Sequence, residues 1–192
     1  MAEVVRMLRK EHTDMAILLD LLERQIAEFK RGGAADFGIV RGILDYYLSY
    51  PDLYHHPKED LIYHRLRAVA PDQAESVKGL LAAHEELAQL TRRFASAAVD
   101  QMLHGDEVPR EWFASLARKF IDTNRRHLVT EEESFFPLAL RVLGAQDWAE
   151  IDAQVTDRED PLFGGAVEAR FHALHESILE LERAGGKSRH AK

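Results

Sequence analysis

Apolar residues along this chain recur at helical spacing. Val5, Leu8, His12, Met15, Leu19, Leu22, Ile26 and Phe29 step alternately by three and four, the seam of a helix in a bundle. Arg31-Gly32-Gly33 stops that helix. A second seam runs through Leu44, Leu48, Pro51, His55, Ile62, Leu66 and Val69 and ends before Pro71. Pro51 and Pro57 lie inside it, and each removes an amide donor, so a kink is expected there. Pro71-Asp72 opens a third helix, with Val77, Leu80, His84, Leu87, Thr91, Phe94 and Ala98 on its seam. A turn at 104–109 leads to a fourth helix that starts at Pro109. Its seam carries Phe113, Leu116, Phe120, Thr123, His127 and Ser134, with Glu131 one turn beyond His127, and Pro137 distorts its end. Alternating β-branched runs do not occur. The pattern predicts an all-α fold, an up-down-up-down four-helix bundle over residues 1–145. Residues 146–184 form a C-terminal helical extension, with a helix near 147–155, a loop at 157–165 and a helix near 166–184. Residues 185–192 read as a flexible polar tail.

Composition narrows the chemistry. Lys and Arg number 25 against 33 Asp and Glu, a formal charge of −8, which disfavours nucleic acid and anionic membrane surfaces as partners. No stretch approaches the roughly 18 apolar residues of a membrane span, and the charged N-terminal MAEVVRMLRKEH has no signal-like apolar segment. A cytoplasmic location is expected. The absence of cysteine excludes disulfides, thiolate zinc sites, iron–sulfur clusters and cysteine nucleophiles. Ten histidines remain, beside an excess of carboxylates. Any metal here takes nitrogen and oxygen ligands.

Each of the four seams carries one histidine: His12, His55, His84 and His127. A single buried histidine is usually an ordinary core residue. These four, however, lie at nearly matching distances from the turns that join their helices. At about 1.5 Å of rise per residue their mismatch is only about 3–5 Å, so they converge on one layer. Two have a glutamate four residues on, His55 with Glu59 and His127 with Glu131, and i,i+4 residues share a helix face. Charged glutamates on an apolar seam are costly unless paired or metal-bound. Four imidazoles and two carboxylates suit iron, manganese or zinc, and two carboxylates between two histidine pairs suit a dinuclear site. His56, next to His55, reads as a rim residue and the first candidate to fill a remaining coordination position. Glu85, Glu132 and Glu133 read as solvent-facing. His172 and His175 read as interface or surface positions, and His64, His104 and His190 carry no signal. Tyr46, Tyr47, Tyr50 and Tyr54 read as core aromatics, one of which can donate a hydrogen bond or an electron near the site.

The ordered set Leu8-Arg-Lys-Glu-His12, Tyr54-His-His-Pro-Lys-Glu-Asp60, Ala83-His-Glu-Glu-Leu87 and His127-Leu-Val-Thr-Glu131 resembles the hemerythrin-like, or HHE cation-binding, family. The resemblance implies a bundle around two iron ions with a bridging oxo or hydroxo group, zinc or manganese being substitutes. His12, His55, His84 and His127 match its terminal ligands, and Glu59 and Glu131 its bridges. Two features depart from the oxygen carriers of that family. Ala88 stands where they have a second histidine of an HxxxH motif on the third helix. Their fourth-helix carboxylate also falls five residues after its histidine, not four. The pattern is closer to bacterial HHE proteins and to the domain of the iron-sensing F-box ubiquitin-ligase subunit. With four histidines, both irons keep an opening unless another group fills it.

The reading that follows is a di-iron protein that binds or reacts with dioxygen, peroxide or nitric oxide, in redox or iron sensing or in oxidative-stress defence. The alternatives are a catalase- or peroxidase-like enzyme, a dioxygen carrier, which Ala88 disfavours, and a zinc-holding structural bundle. No catalytic residue is assigned. The expected partners are a small diatomic or peroxide ligand and, through the C-terminal helices, a second copy of the chain.

Overall fold

The structure, a computed structural model, describes residues 2–105, 108–155 and 158–189, the last nine as backbone only. It contains helices and no strand among those residues. Helix α1 spans Glu3–Lys30 and buries every residue of the predicted seam. It ends as the glycines require. Gly32, at φ 82°, donates to the carbonyl of Phe29, and Gly33 donates to that of Glu28. This is the paired Schellman closure of a helix C-terminus.

Helix α2 spans Phe37–Ser49 and starts on Asp36, whose carboxylate accepts from the amides of Gly38 and Ile39. A wide π-helical turn, Pro51–His55, joins it to α3 at His56–Val69. The fourth long helix is built alike: α6 at Arg110–Thr130, a π-turn at Glu131–Phe135 and α7 at Phe136–Val142. In each case the π-turn stops two residues before a proline, Pro57 or Pro137. Proline has no amide to donate, and its ring crowds the carbonyl four residues back, so a widened turn absorbs both problems without breaking the rod. The expected kinks are therefore π-turns, and both sit at the histidine–glutamate pairs.

The third rod differs from its prediction. Pro71 opens only a short α4, Pro71–Ala74, followed by a 3₁₀ turn at Glu75–Val77. The long helix α5 begins at Leu80 and runs to Leu103. Val69 is also exposed rather than seamed. In the fourth rod Ser134 is exposed and Phe135 and Phe136 take the core positions, because the π-turn adds a residue and shifts the helical phase.

α1 packs on α6 and α2, and α5 packs on α2 and α6, so neighbours in sequence are neighbours in space, as in an up-down-up-down bundle. Helix α8, Ala145–Asp152, packs on α3 and α1, where Arg65 holds Asp147 at 2.6 Å and Glu150 at 2.9 Å. Helix α9, His172–Arg189, packs on α2 and α1 and buries Leu174 and Ile178. Leu174 lies over Gly42, where an added Cβ would make an ordinary contact at 3.4 Å. The C-terminal helices thus turn apolar residues onto their own bundle. α9 continues through residues 185–189, read from the sequence as tail, and residues 190–192 lie outside the described residues. No helix among the described residues is long and apolar enough to cross a membrane.

The core is divided. One apolar cluster runs from Met15 to Phe29 on α1 and includes Tyr50, Phe94 and Phe120. The other holds Leu8, Ile62, Leu66, Leu80, Phe135 and Phe136. Between them, on every rod, lies the layer of buried histidines and carboxylates.

Candidate metal centre

The six residues singled out in the sequence meet in that layer, and a seventh joins them. His12, His55, Glu59 and Glu131 form one group in which a nitrogen or oxygen from each lies within 4.8 Å of the others. His56, Glu59, His84 and His127 form a second on the same criterion. Glu59 belongs to both, and Glu131 also spans them. Glu59 turns Oε1 to His12 and His55, at 3.4 Å each, and Oε2 to His84 at 3.4 Å. Glu131 turns Oε2 to His12 at 3.4 Å and Oε1 to His84 at 3.4 Å and His127 at 3.0 Å. Each carboxylate thus has one oxygen toward either group.

His56 is the residue the sequence reading underrated. Its ring is buried and stacks on that of His84 with centroids 4.2 Å apart and planes at 11°. The signal was present in the HHxxE string. Glu59 is four residues after His55 and three after His56, and both spacings return to one face of a helix. The π-turn ends at His55, so the two adjacent imidazoles straddle Glu59, one toward each group.

Four of the five imidazoles are held from behind. His12 Nδ1 lies 3.0 Å from Glu132, which also accepts from Arg9 at 2.9 Å. His55 Nδ1 lies 2.7 Å from Glu11, His84 Nδ1 2.9 Å from Asp60, and His56 Nδ1 3.4 Å from Asp52. Glu11 in turn accepts from Tyr50 Oη at 3.0 Å and pairs with the buried Lys58. A carboxylate at Nδ1 fixes the tautomer and turns the Nε2 lone pair inward. Glu132 is therefore part of the layer, contrary to its sequence reading, whereas Glu85 and Glu133 are exposed as expected. His172 bonds the Val167 carbonyl at the surface, and His64 and His104 are exposed.

This arrangement is poor chemistry unless a cation sits within it. Glu59 Oε1 and Oε2, Glu131 Oε2 and His127 Nε2 are buried with no hydrogen-bond partner. His12 Nε2 and His55 Nε2 stand 3.1 Å apart, so if both rings are neutral with Nδ1 protonated, two lone pairs face each other, and a proton or a cation is needed between them. Burial pushes the His55 imidazole down, but Glu59 and Glu11 outweigh it and bring it up to about 10. Burial likewise opposes the His84 imidazole, which Asp60, Glu131 and Glu59 raise to about 11. Glu59 is held well below the ordinary carboxylate range, because His55 and the contacts from His12 and His84 overcome its burial. The layer calls for positive charge where the two groups converge. Nitrogen and carboxylate donors without thiolate fit iron, manganese or zinc.

The contacts behind the imidazoles carry their own prediction. Replacing Glu11 by glutamine removes the charge behind His55 and leaves Lys58 unpaired. Metal affinity at the His12–His55 position is expected to fall about 10–100-fold while the second position is unchanged. Competition titration against a chelator reads both steps, and equal weakening of the two would contradict the assignment of Glu11 to one position.

Two cavities reach the layer. One of about 660 Å³, between α1 and α6, is lined by His12, Ala16, Leu128 and the Arg9–Glu132 pair. The other, about 350 Å³ between α5 and α6, reaches His127.

No curated protein and no solved structure matches the chain. The family model described as the hemerythrin HHE cation binding domain matches residues 3–139, which takes in all four rods and every histidine and carboxylate of the layer. With that match and this layer, the chain belongs to the hemerythrin HHE cation-binding domain family.

Proposed function

We propose that this is a cytoplasmic non-haem di-iron protein that binds or reacts with a small oxygen species, namely dioxygen, peroxide or nitric oxide, in sensing or oxidative defence. The observation that carries this reading is the pair of buried carboxylates, Glu59 and Glu131, each with one oxygen toward either histidine group. His12 and His55 would hold one ion, His56, His84 and His127 the other, and the two glutamates would touch both. Two iron ions, when bound, supply the redox and ligand-exchange chemistry that no side chain here has.

The division of the imidazoles supports one position over the other for a small ligand. The first position receives two imidazoles and the second three, so the first keeps more room for an outside ligand. This changes the argument from Ala88: the fifth imidazole is present, but from His56 on the second rod. The uneven division favours binding of one small molecule at the first position over symmetric bridging of both, which a catalase-like reaction would use. Ala16 and Leu128 give the cavity beside His12 apolar wall, and the Arg9–Glu132 pair covers the imidazole from outside. Tyr50, Glu11 and His55 form a hydrogen-bonded series in which Glu11 holds the Nδ1 proton of His55.

The test is metal analysis together with an optical spectrum of the reduced protein before and after dioxygen, peroxide or nitric oxide is added. Two irons per chain and a new visible absorption band with at least one of the three are expected. Two irons with no spectral response to any of them, or zinc alone in protein grown with ample iron, would overturn the proposal.

A further inference from the structure

The outer contacts of the five imidazoles follow a pattern with one gap. His12, His55, His56 and His84 each have a carboxylate at Nδ1. His127 has none among the described residues. Its Nε2 is buried and turned to Glu131 at 3.0 Å, which leaves the Nδ1 edge facing away from the layer. His127 lines the cavity of about 350 Å³. A water's share of liquid volume is about 30 Å³, so the space far exceeds the needs of dioxygen, nitric oxide or hydrogen peroxide. It falls within the range of about 300–1,000 Å³ typical of small-molecule sites.

The lining is amphiphilic. Val77, Leu80, Ala83, Leu87 and Phe135 supply apolar wall from the third and fourth rods. Thr123 and Thr130, four residues before His127 and three after it, also line the cavity, the Thr130 hydroxyl donating to the Arg126 carbonyl. Arg126 also lines the cavity and makes no ion pair among the described residues. The one acidic residue there, Glu86, is exposed and does not reach His127.

We propose that this cavity is a binding site for a short-chain aliphatic carboxylate, whose carboxylate takes the place behind His127 that Glu132, Glu11, Asp52 and Asp60 take behind the other four. The head group accepts from His127 Nδ1–H and is drawn by Arg126, and the chain lies along Leu80, Ala83 and Leu87. Such a ligand raises the basicity of His127 as the built-in carboxylates do for their partners, and so couples a small metabolite to the second metal position. The coupling rests on the proposed metal centre, whereas the site itself rests on the cavity, His127 and Arg126.

Hexanoate is the probe, with hexanol as its uncharged control, titrated into the full chain loaded with zinc and followed by amide and imidazole nitrogen NMR shifts. Saturable shifts are expected at Val77, Ala83, Thr130 and the His127 ring, with hexanoate at least fivefold tighter than hexanol. Arg126→Gln should weaken hexanoate about fivefold or more, and Glu86→Gln should tighten it. Gly79 lines the cavity, has ordinary backbone angles, and an added Cβ there meets open space. Gly79→Leu should therefore fill the cavity without strain and abolish the shifts. Hexanoate no tighter than hexanol, shifts that map elsewhere, or binding indifferent to both Arg126→Gln and Gly79→Leu would overturn the proposal. Metal content is measured on the same samples. A chain that takes up no metal yet shows this variant pattern removes the di-iron reading and keeps the carboxylate site.

Discussion

Stripping the metal from this protein is expected to lower its unfolding free energy by about 4–8 kcal/mol. Four buried polar atoms of Glu59, Glu131 and His127 have no hydrogen-bond partner, and each unsatisfied group costs about 1–3 kcal/mol. Protons taken up by His55 and His84 offset part of that loss, which keeps the figure below what ligation would give alone. For a chain of this size about 2–4 °C of melting temperature accompanies each kcal/mol, so the midpoint should drop by roughly 10–25 °C. The two apolar clusters on either side of the layer remain, so helix content should survive at room temperature. Thermal unfolding with and without a chelator, with metal content measured, decides the point. An unchanged midpoint after proven metal loss would show that the layer is satisfied without a cation.

The second large effect concerns Glu59. Because it belongs to both groups, Glu59→Ala should weaken both ions together, each by more than the roughly 100-fold upper value for losing an outer contact. At micromolar metal the protein should then hold well under one ion per chain. His12→Ala should empty only the first position and His56→Ala only the second, each leaving close to one ion. The three variants form an internally controlled set, since all remove one donor from the same layer. Metal-to-protein ratios and stepwise titration give the answer. Retention of two tightly bound ions with the parental spectrum in Glu59→Ala would remove its bridging role, and a loss of both ions in His56→Ala would remove the division into two positions.

Much of this protein was legible in its sequence because bundle helices write their buried faces in steps of three and four. The seam of α1 is buried as read, and the Gly32-Gly33 stop closes as glycine chemistry requires. Turn-to-turn distances placed His12, His55, His84 and His127 at one level, since antiparallel rods sharing a turn keep register at a fixed rise per residue. Glu59 and Glu131 followed from their i+4 spacing. Family membership was equally visible, because the ordered histidine–glutamate spacing is a local property of four helices.

Tertiary structure decided what depends on helical phase and on contacts between rods. Whether Pro57 and Pro137 kink, break or widen their helices is set by how the rods pack, and the outcome is two π-turns. Those turns shift the phase by a residue. They send Ser134 outward and Phe135 inward, and they let His55 and His56 face different groups although adjacent residues on a regular helix diverge by about 100°. The carboxylates behind the imidazoles were illegible for a related reason. Glu11 meets His55 across 44 residues and Glu132 meets His12 across 120. On its own helix each reads as an ordinary charged position, and only the neighbouring rod gives it a partner. The sequence by itself determined the rods, their common level and the kinds of donor. The packing of one rod on another determined how five imidazoles divide between two positions, and which one of them was left without a carboxylate behind it.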